Sequence, residues 1–128
     1  MLRIRLTLPA RRDIADLLDW SAEHFGPAGR RRYEALLETA LRDIAANPAR
    51  SGSREETQLG PGLRIYHLRL SRDRAKAKFG VVRTPRHILL YRCQPKENVV
   101  TVLRVLHDAM DLVRHVQTES PRSDEEGQ

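Results

Sequence analysis

The hydrophobic pattern changes period within the first ten residues, and this change constrains the fold more than any other feature. Residues 2–8 alternate apolar and polar side chains, which predicts a half-buried strand. From Ala10 the apolar residues recur every three or four positions, as they do along one face of an amphipathic helix. Pro9 lies between the two patterns, because proline interrupts a strand but fits the first turn of a helix. The chain therefore begins with a strand that leads directly into a helix.

Two helical stripes follow one another with a short connection. Gly26 ends the first, because glycine accepts the left-handed conformation of a helix C-terminus and Pro27 cannot continue the helix. The second stripe spans residues 33–44 and stops before Pro48. A connection this short predicts an antiparallel helical hairpin, and two apolar stripes that face the same way need a sheet as their common partner.

The middle of the chain predicts strands separated by polar loops. The segments with strand character are Leu63–Leu70, His87–Cys93 and Val99–Leu106, with Phe79–Arg83 as a further candidate. Residues 47–62 are rich in turn-forming residues and predict a surface loop. Residues 71–78 carry five charges and no large apolar residue, which predicts a protruding hairpin tip or a mobile loop.

The last part of the sequence predicts a short helix and a tail. Residues 108–116 place Met110, Val113 and Val116 on one helical face. Residues 118–128 are polar, with a net charge of −3, and are expected to be disordered. The whole pattern predicts one α+β domain over residues 1–117, with an N-terminal strand, a helical hairpin on a mainly antiparallel sheet of three to five strands, and a short C-terminal helix.

Charge and composition restrict the class of function. Residues 1–117 carry a net charge of +9, nearly all from arginine, which suits contacts with phosphate or carboxylate groups. A partner that is nucleic acid or an acidic protein is therefore expected. Cys93 is the single cysteine, so no internal disulfide can form, and His24 and His115 are too isolated to indicate a metal site. No segment is apolar enough for a signal peptide or a membrane span, so we expect a cytoplasmic protein without cofactors.

The order of these elements, together with several short segments, resembles the ParE/RelE toxins of type II toxin–antitoxin pairs, and ParE-like members in particular. The resemblance covers about residues 2–116. The segments that carry it are Ala10–Leu17, Gly26 with Arg32-Tyr33, Leu41–Pro48, Gly62–Tyr66, His87–Arg92, Val102–His107, Met110-Asp111 and Arg114-His115. The chain departs from the pattern by roughly a dozen extra residues around positions 70–83, which puts the geometry of that hairpin in question.

The resemblance implies a toxin held inactive by a cognate, acidic antitoxin in a hetero-oligomer. A ParE-like toxin is expected to act on DNA gyrase through binding surfaces, without catalytic residues. The alternative is a RelE-like, ribosome-dependent ribonuclease, and a third reading is a degenerate toxin that only binds its antitoxin. Two features count against the ribonuclease: the C-terminus lacks the Tyr or His-Tyr ending on which such nucleases often rely, and the sheet contributes few lysines. The extra residues around positions 70–83 suggest the degenerate toxin.

Particular residues are candidates for these roles. The candidates for binding target or antitoxin are Trp20, Arg64, Tyr66, Arg92, Arg104, His107 and Asp111. Under the ribonuclease alternative, His107, Tyr91, Arg92 and Arg104 would form the catalytic set, with His107 as general acid or base. Each also has a structural interpretation: His107 as a strand-end cap bonded to Asp111, the arginines as a solvated strand face, and the aromatic residues as packing groups.

Overall fold

A computed structural model of the chain describes residues 1–108, without the side chains of residues 76–79. The helices and strands are β1 (Arg3–Leu6), α1 (Leu8–Ala46), β2 (Arg54–Glu55), β3 (Leu63–His67), α2 (Arg72–Phe79), β4 (His87–Gln94) and β5 (Val99–His107). Short 3-10 turns occupy Thr57–Leu59, Leu68–Ser71 and Pro95–Glu97. Apart from Asp108, the predicted C-terminal helix and the acidic tail lie outside the described residues.

The long helix α1 reverses direction at Gly26. That glycine has φ 75° and ψ −177°, which breaks the helical path. A straight helix of 39 residues would be about 58 Å long. Both ends of α1 nevertheless lie beside β1: the Thr7 side chain accepts a hydrogen bond from Ala10 N at 3.1 Å, and Leu2 N donates to Ala45 O at 3.0 Å. The predicted helical hairpin is therefore confirmed.

The two arms of the hairpin, residues 8–25 and 27–46, bury their apolar stripes against one face of the sheet. The arms contribute Ala10, Leu17, Leu18, Tyr33, Leu36, Leu37, Ala40 and Ile44, and the sheet and the turn after it contribute Tyr66, Leu68, Leu89, Tyr91, Val100, Val102 and Val105. Aliphatic residues make up most of this core, as the few aromatic residues of the sequence require. We call this side of the sheet the hairpin face.

The sheet has five strands in the order β1-β5-β4-β3-β2. β1 runs parallel to β5, with Arg3 opposite Val99, and the other neighbours are antiparallel. The sheet is therefore mixed, and the N-terminal strand joins the most C-terminal one. Where β1 ends, the start of α1 covers the open edge of β5, because Thr7 Oγ1 donates to Leu103 O and Asp13 accepts from Val105 N.

Three predictions for the middle of the chain differ from the structure, one of them entirely and two in part. The strand predicted at Leu63–Leu70 ends at His67, whose ring accepts a hydrogen bond from Arg69 N and starts a 3-10 turn. Residues 79–83 form no strand beyond the last turn of α2. Within the predicted loop at 47–62, β2 pairs with β3.

The segment predicted as a loop at residues 71–78 is mostly α2. Its sequence has no apolar stripe, so helical periodicity could not reveal it. Contacts with distant residues hold it: Arg72 donates to Arg83 O at 3.0 Å, and Arg74 lies 3.3 Å from the carboxylate of Asp43. Tertiary contacts therefore determine this helix more than its own pattern does.

Candidate functional site

A cavity of about 1000 Å³ opens between the tip of the hairpin and the segment that follows α2. Its lining is mainly apolar, and it includes Trp20 and Phe25 on the hairpin side and Val81 and Val82 on the other. The side chains of Trp20 and Phe25 are 51% and 62% exposed. Large apolar groups exposed beside a cavity are typical of a surface that binds another molecule. We call this region the hairpin-tip cavity.

The aromatic side chains at this tip contact one another. The Trp20 ring stacks on His24 with 4.1 Å between centroids, and Phe25 approaches Trp20 edge-on at 5.7 Å. The predicted exposure of Trp20 is confirmed, although its role in binding stays a prediction. Rigid, half-exposed aromatic groups lose little side-chain entropy on binding, so they serve well as anchors for a partner.

Basic groups border the cavity. The lining includes three arginines, so positively charged groups lie beside its apolar surface: Arg32, Arg83 and Arg86. Arg86 is 3.3 Å from Asp108, so part of its charge is balanced. A segment that combines apolar and acidic side chains would complement this surface.

A hydrogen-bonded pair, Tyr33 and His87, forms the polar end of the cavity. Arg86 N donates to the Tyr33 hydroxyl at 3.2 Å, and that hydroxyl lies 2.7 Å from His87 Nδ1, to which it can donate. Burial raises the pKa of Tyr33 to about 12. Burial, with nearby His107, lowers the pKa of His87 to about 4. His87 is therefore a neutral imidazole at pH 7. Sequence reasoning missed this pair, although histidines at the ends of β3, β4 and β5 were a visible signal.

His107 lies across from His87 at the end of β5. The two rings are 5.4 Å apart edge to face, and the His107 side chain is 41% exposed. Its Nδ1 atom is 3.6 Å from Asp108, and Asp108 also accepts a hydrogen bond from His67 Nε2 at 3.0 Å. That bond from His67 is the main reason that the pKa of Asp108 lies below its ordinary value. Asp111, the expected partner of His107, lies outside the described residues.

The three arginines predicted on one sheet face do not share a face. Arg64 is directly opposite Tyr91, and Arg92 is the next residue along β4, so their side chains point to opposite sides of the sheet. Arg64 donates to Ser53 Oγ at 2.7 Å, whereas Arg92 is exposed. Arg104 forms two hydrogen bonds with the carboxylate of Asp13, at 2.7 and 2.9 Å. The cationic patch expected from these three residues is therefore absent.

Tyr91 is fully buried in the hairpin face. Its hydroxyl donates to Pro48 O at 2.6 Å and lies 2.5 Å from Ser53 Oγ, and burial raises its pKa. This geometry ties the loop after α1 to the sheet. These contacts support the structural interpretation of Tyr91 as a packing residue.

Tyr66 is also fully buried, and it belongs to a polar network at the base of the hairpin. The Tyr66 hydroxyl lies 2.8 Å from Ser71 Oγ, and Ser71 donates to Asp43 at 2.6 Å. Asp43 is also within 3.4 Å of Arg50 and 3.3 Å of Arg74. This Asp43 network joins α1, the loop after it and α2, and it offers a ligand little accessible surface.

The residues required by the ribonuclease alternative lie apart. Tyr91 pairs with Val102 on β5, and His107 lies five residues further along, roughly 17 Å at the rise of an extended strand. Arg92 faces the other side of the sheet from Tyr91, and Arg104 binds Asp13. General acid–base catalysis needs such groups within hydrogen-bonding reach of one substrate, which this arrangement does not provide.

Residues 1–108 contain neither a cluster of metal ligands nor a helix that could span a membrane. No group of three or more histidine, cysteine or carboxylate side chains in this part of the chain could hold a metal ion. No helix within the same residues is long and apolar enough to cross a membrane.

Comparison with known proteins shows which family and which solved structures this chain resembles. The family described as the ParE toxin of the type II toxin–antitoxin system parDE matches residues 4–112. The chromosomal ParDE toxin–antitoxin system from P. aeruginosa has a similar fold, with a TM-score of 0.59 at 15% identity over 84% of this chain and 96% of that one. The toxin–antitoxin complex RelBE2 from Mycobacterium tuberculosis gives a TM-score of 0.52 at 26% identity, over 83% of this chain and 96% of that one.

No curated protein sequence matches the chain. The family match nevertheless spans most of the domain, from β1 to beyond the end of β5. The matched residues include the N-terminal strand, the helical hairpin and the antiparallel strands that were predicted from the sequence, as the resemblance implied. This chain belongs to the ParE toxin family of type II toxin–antitoxin systems.

Proposed function

We propose that this toxin inhibits growth in the cytoplasm by binding DNA gyrase, and that a cognate antitoxin neutralises it. The family match supports a ParE-type target. The observation that carries the choice is the separation of His107, Tyr91, Arg92 and Arg104, since a ribonuclease would need them around one phosphate. A toxin that acts through surface contacts needs no such cluster.

The antitoxin is proposed to be acidic and to form a hetero-oligomer with the toxin. Residues 1–117, which we propose as the single toxin domain, carry a net charge of +9. Both structural relatives are toxin–antitoxin systems. The hairpin-tip cavity offers apolar contact area beside arginines, which suits a partner segment with alternating apolar and acidic side chains.

A ribosome-dependent ribonuclease is the second candidate, and one observation favours it. His107 is partly exposed and lies beside Asp108, so its imidazole is accessible to a substrate at the edge of the hairpin-tip cavity. The likeness to RelBE2 from M. tuberculosis is consistent with either class of toxin, because it shows a shared fold.

The two candidates separate in one parallel experiment. Purified toxin is added to a gyrase supercoiling reaction and to ribosomes translating a defined transcript, with His107→Ala tested beside the wild type. We expect loss of supercoiling with an intact transcript. Lys96→Ala is the control, because Lys96 is exposed in the turn between β4 and β5, away from both the His107 cluster and the hairpin tip.

The result that would overturn the gyrase proposal is cleavage of the transcript by the wild type and the Lys96→Ala variant but not by His107→Ala. If neither reaction is affected and expression does not slow growth, the chain is a degenerate toxin that only binds its antitoxin. Adding the antitoxin should restore supercoiling, and failure to do so would contradict its proposed role.

A further inference from the structure

Three exposed arginines lie on the side of the sheet that faces away from the hairpin, which we call the second face. On β1, Ile4 packs against the core of the hairpin face. Side chains alternate along a strand, so Arg3 and Arg5 point to the second face. Arg92 also points there, because its neighbour Tyr91 belongs to the core of the hairpin face. All three arginines are exposed, so their charges are accessible on this face.

Strand register brings these three arginines together. Arg5 and Arg92 both lie opposite Thr101, one on each side of β5, so their Cα atoms are roughly 10 Å apart. Arg3 is two residues from Arg5 on β1, at a distance of about 7 Å. The cluster depends on the pairing of β1 with β5, which joins the two ends of the described chain. We call Arg3, Arg5 and Arg92 the second-face arginine cluster.

The second-face arginine cluster presents hydrogen-bond donors to solvent. Within residues 1–108, none of its three arginines forms an ion pair. Gln94 lies beside the cluster, because it pairs with Val99, which also pairs with Arg3. The side-chain oxygen of Gln94 accepts a hydrogen bond from Thr101 at 2.9 Å, which leaves the amide nitrogen as a further donor. This surface therefore fits a ligand that carries negative charge and hydrogen-bond acceptors.

Protection of the sheet edge explains only part of the cluster. β1 is an edge strand, and charged side chains on an edge strand prevent its pairing with another chain. Arg92, however, is on β4, the central strand of the sheet, where no such protection is needed. Three like charges this close together also repel one another, and a bound anion would offset that repulsion. A ligand accounts for all three arginines.

The surroundings of the cluster favour the backbone of a nucleic-acid duplex over other polyanions. An acidic protein segment needs apolar contacts beside the charges, yet no large apolar side chain of a described strand is exposed. A single-stranded nucleic acid needs aromatic rings on which its bases stack. Tyr66 and Tyr91 are the only Tyr, Trp or Phe residues in the described strands, and both pack on the hairpin face. A DNA duplex carries one phosphate charge per 1.7 Å of its axis, so about six charges face a width of about 10 Å.

We propose that the second-face arginine cluster binds the phosphate backbone of duplex DNA, independently of base sequence. The choice of DNA rests on the proposed function, because gyrase acts on a DNA duplex. The toxin would then contact the enzyme and its DNA substrate together. The hairpin packs on the other side of the sheet, so the hairpin-tip cavity stays available to a protein partner while DNA is bound.

The salt dependence of DNA binding tests the cluster. Fluorescence anisotropy of a labelled DNA duplex gives the affinity of the full-length toxin at salt concentrations between about 50 and 200 mM. Three phosphate contacts should weaken binding about 40-fold over this range. A variant that combines Arg3→Gln, Arg5→Gln and Arg92→Gln should lose this part of the dependence, so the slope of log affinity against log salt becomes shallower by about 3.

Two further variants separate the cluster from net charge and from folding. Arg12→Gln, Arg31→Gln and Arg42→Gln together remove three exposed arginines of the hairpin, so this control has the same net charge as the cluster variant. It should keep the wild-type slope. Replacement of the three cluster arginines by lysine keeps their charge and should also keep the slope. Circular dichroism and the Tm verify that each variant folds.

Three outcomes would overturn the proposal. In the first, the glutamine variant of the cluster binds DNA with the wild-type slope. In the second, the hairpin control loses as much of the slope as the cluster variant, which would assign binding to net charge alone. In the third, an RNA duplex or polyglutamate binds to the cluster at least about tenfold more tightly than the DNA duplex does.

The gyrase supercoiling reaction separates this inference from the proposed function. The glutamine variant of the cluster should inhibit supercoiling less than the wild type, and the hairpin control should inhibit it equally. Equal inhibition by the cluster variant would overturn the contact with the DNA of gyrase and leave the gyrase proposal standing. If the wild type binds DNA with the expected slope but never inhibits gyrase, the proposed function fails and DNA binding by the cluster is supported.

Discussion

The two ends of the helical hairpin differ in burial: polar groups are buried at the base, and apolar groups are exposed at the tip. At the base, Asp43 is buried and its carboxylate contacts Ser71, Arg50 and Arg74. At the tip, Trp20 and Phe25 remain exposed beside a cavity. The base gains stability from groups that bind one another, whereas the tip leaves apolar area available to a partner. Mutations at the two ends should therefore separate folding from binding.

The largest effect on stability is expected at the base. Asp43→Ala would leave Ser71 and two arginines without their shared acceptor, and removal of one partner of a buried ion pair costs about 3 kcal/mol. Urea denaturation would measure the loss. Glu38→Ala is the control, since its pair with Arg42 is exposed and should contribute less than about 0.5 kcal/mol. Equal losses in the two variants would contradict the contrast between base and surface.

A smaller, pH-dependent effect is expected from His87. The unfolded chain protonates this histidine near pH 6.5, but in the folded chain its pKa is about 4. The unfolded state therefore binds more protons between these values, and the free energy of unfolding should fall as the pH falls through this range, by about 2 kcal/mol. The lowered pKa of Asp108 adds to this slope only at the acid end of the window, because the unfolded carboxyl group takes up protons only below about pH 5. The slope above about pH 5 therefore belongs to His87.

Denaturation at a series of pH values would measure this slope. His87→Gln keeps an acceptor for the Tyr33 hydroxyl and removes the titrating ring, so the slope between about pH 6.5 and 5 should disappear. His24→Gln, which alters an exposed histidine, should retain it. A slope that survives in His87→Gln would assign it to another group.

The smallest effect on stability, with a large effect on binding, is expected at the tip. Trp20→Ala should lower the free energy of unfolding by only about 1 kcal/mol, because half of this residue is already exposed. If the tip anchors the antitoxin, the same variant should weaken the complex by at least about 2 kcal/mol, roughly 30-fold in Kd. Leu8→Ala, an exposed apolar residue at the other end of the hairpin, is the matched control for calorimetric titration.

The sequence predicted an element of the fold correctly where burial of one face determined the local hydrophobic pattern. The alternation at residues 2–8 and the Gly26 break predicted β1 and the hairpin, because burial of a single face fixes both periods. α2 was missed because its arginines Arg72 and Arg74 contact groups outside the helix, and such contacts do not produce a helical hydrophobic pattern in the sequence. The parallel pairing of β1 with β5 was also not predicted, since register between distant strands is not encoded locally.

The candidate site was less accessible from the sequence than the fold. Residue type suggested that Arg64, Arg92 and Arg104 act together, but strand register places Arg64 and Arg92 on opposite faces, and Asp13 binds Arg104. Trp20 was identified because its position relative to the apolar stripe predicted exposure. The Tyr33–His87 pair depends on two segments 54 positions apart and could be recognised only in three dimensions.

The pairing of β1 with β5 also sets the point in synthesis at which the sheet can close. Residues 3–6 are made long before residues 99–102, with which they pair. The hairpin can form from local contacts as it emerges, but the sheet lacks this strand pair until residues 99–102 have left the ribosome. High contact order of this kind slows folding. A newly made chain therefore passes through an incomplete state in which β5 has not yet joined β1.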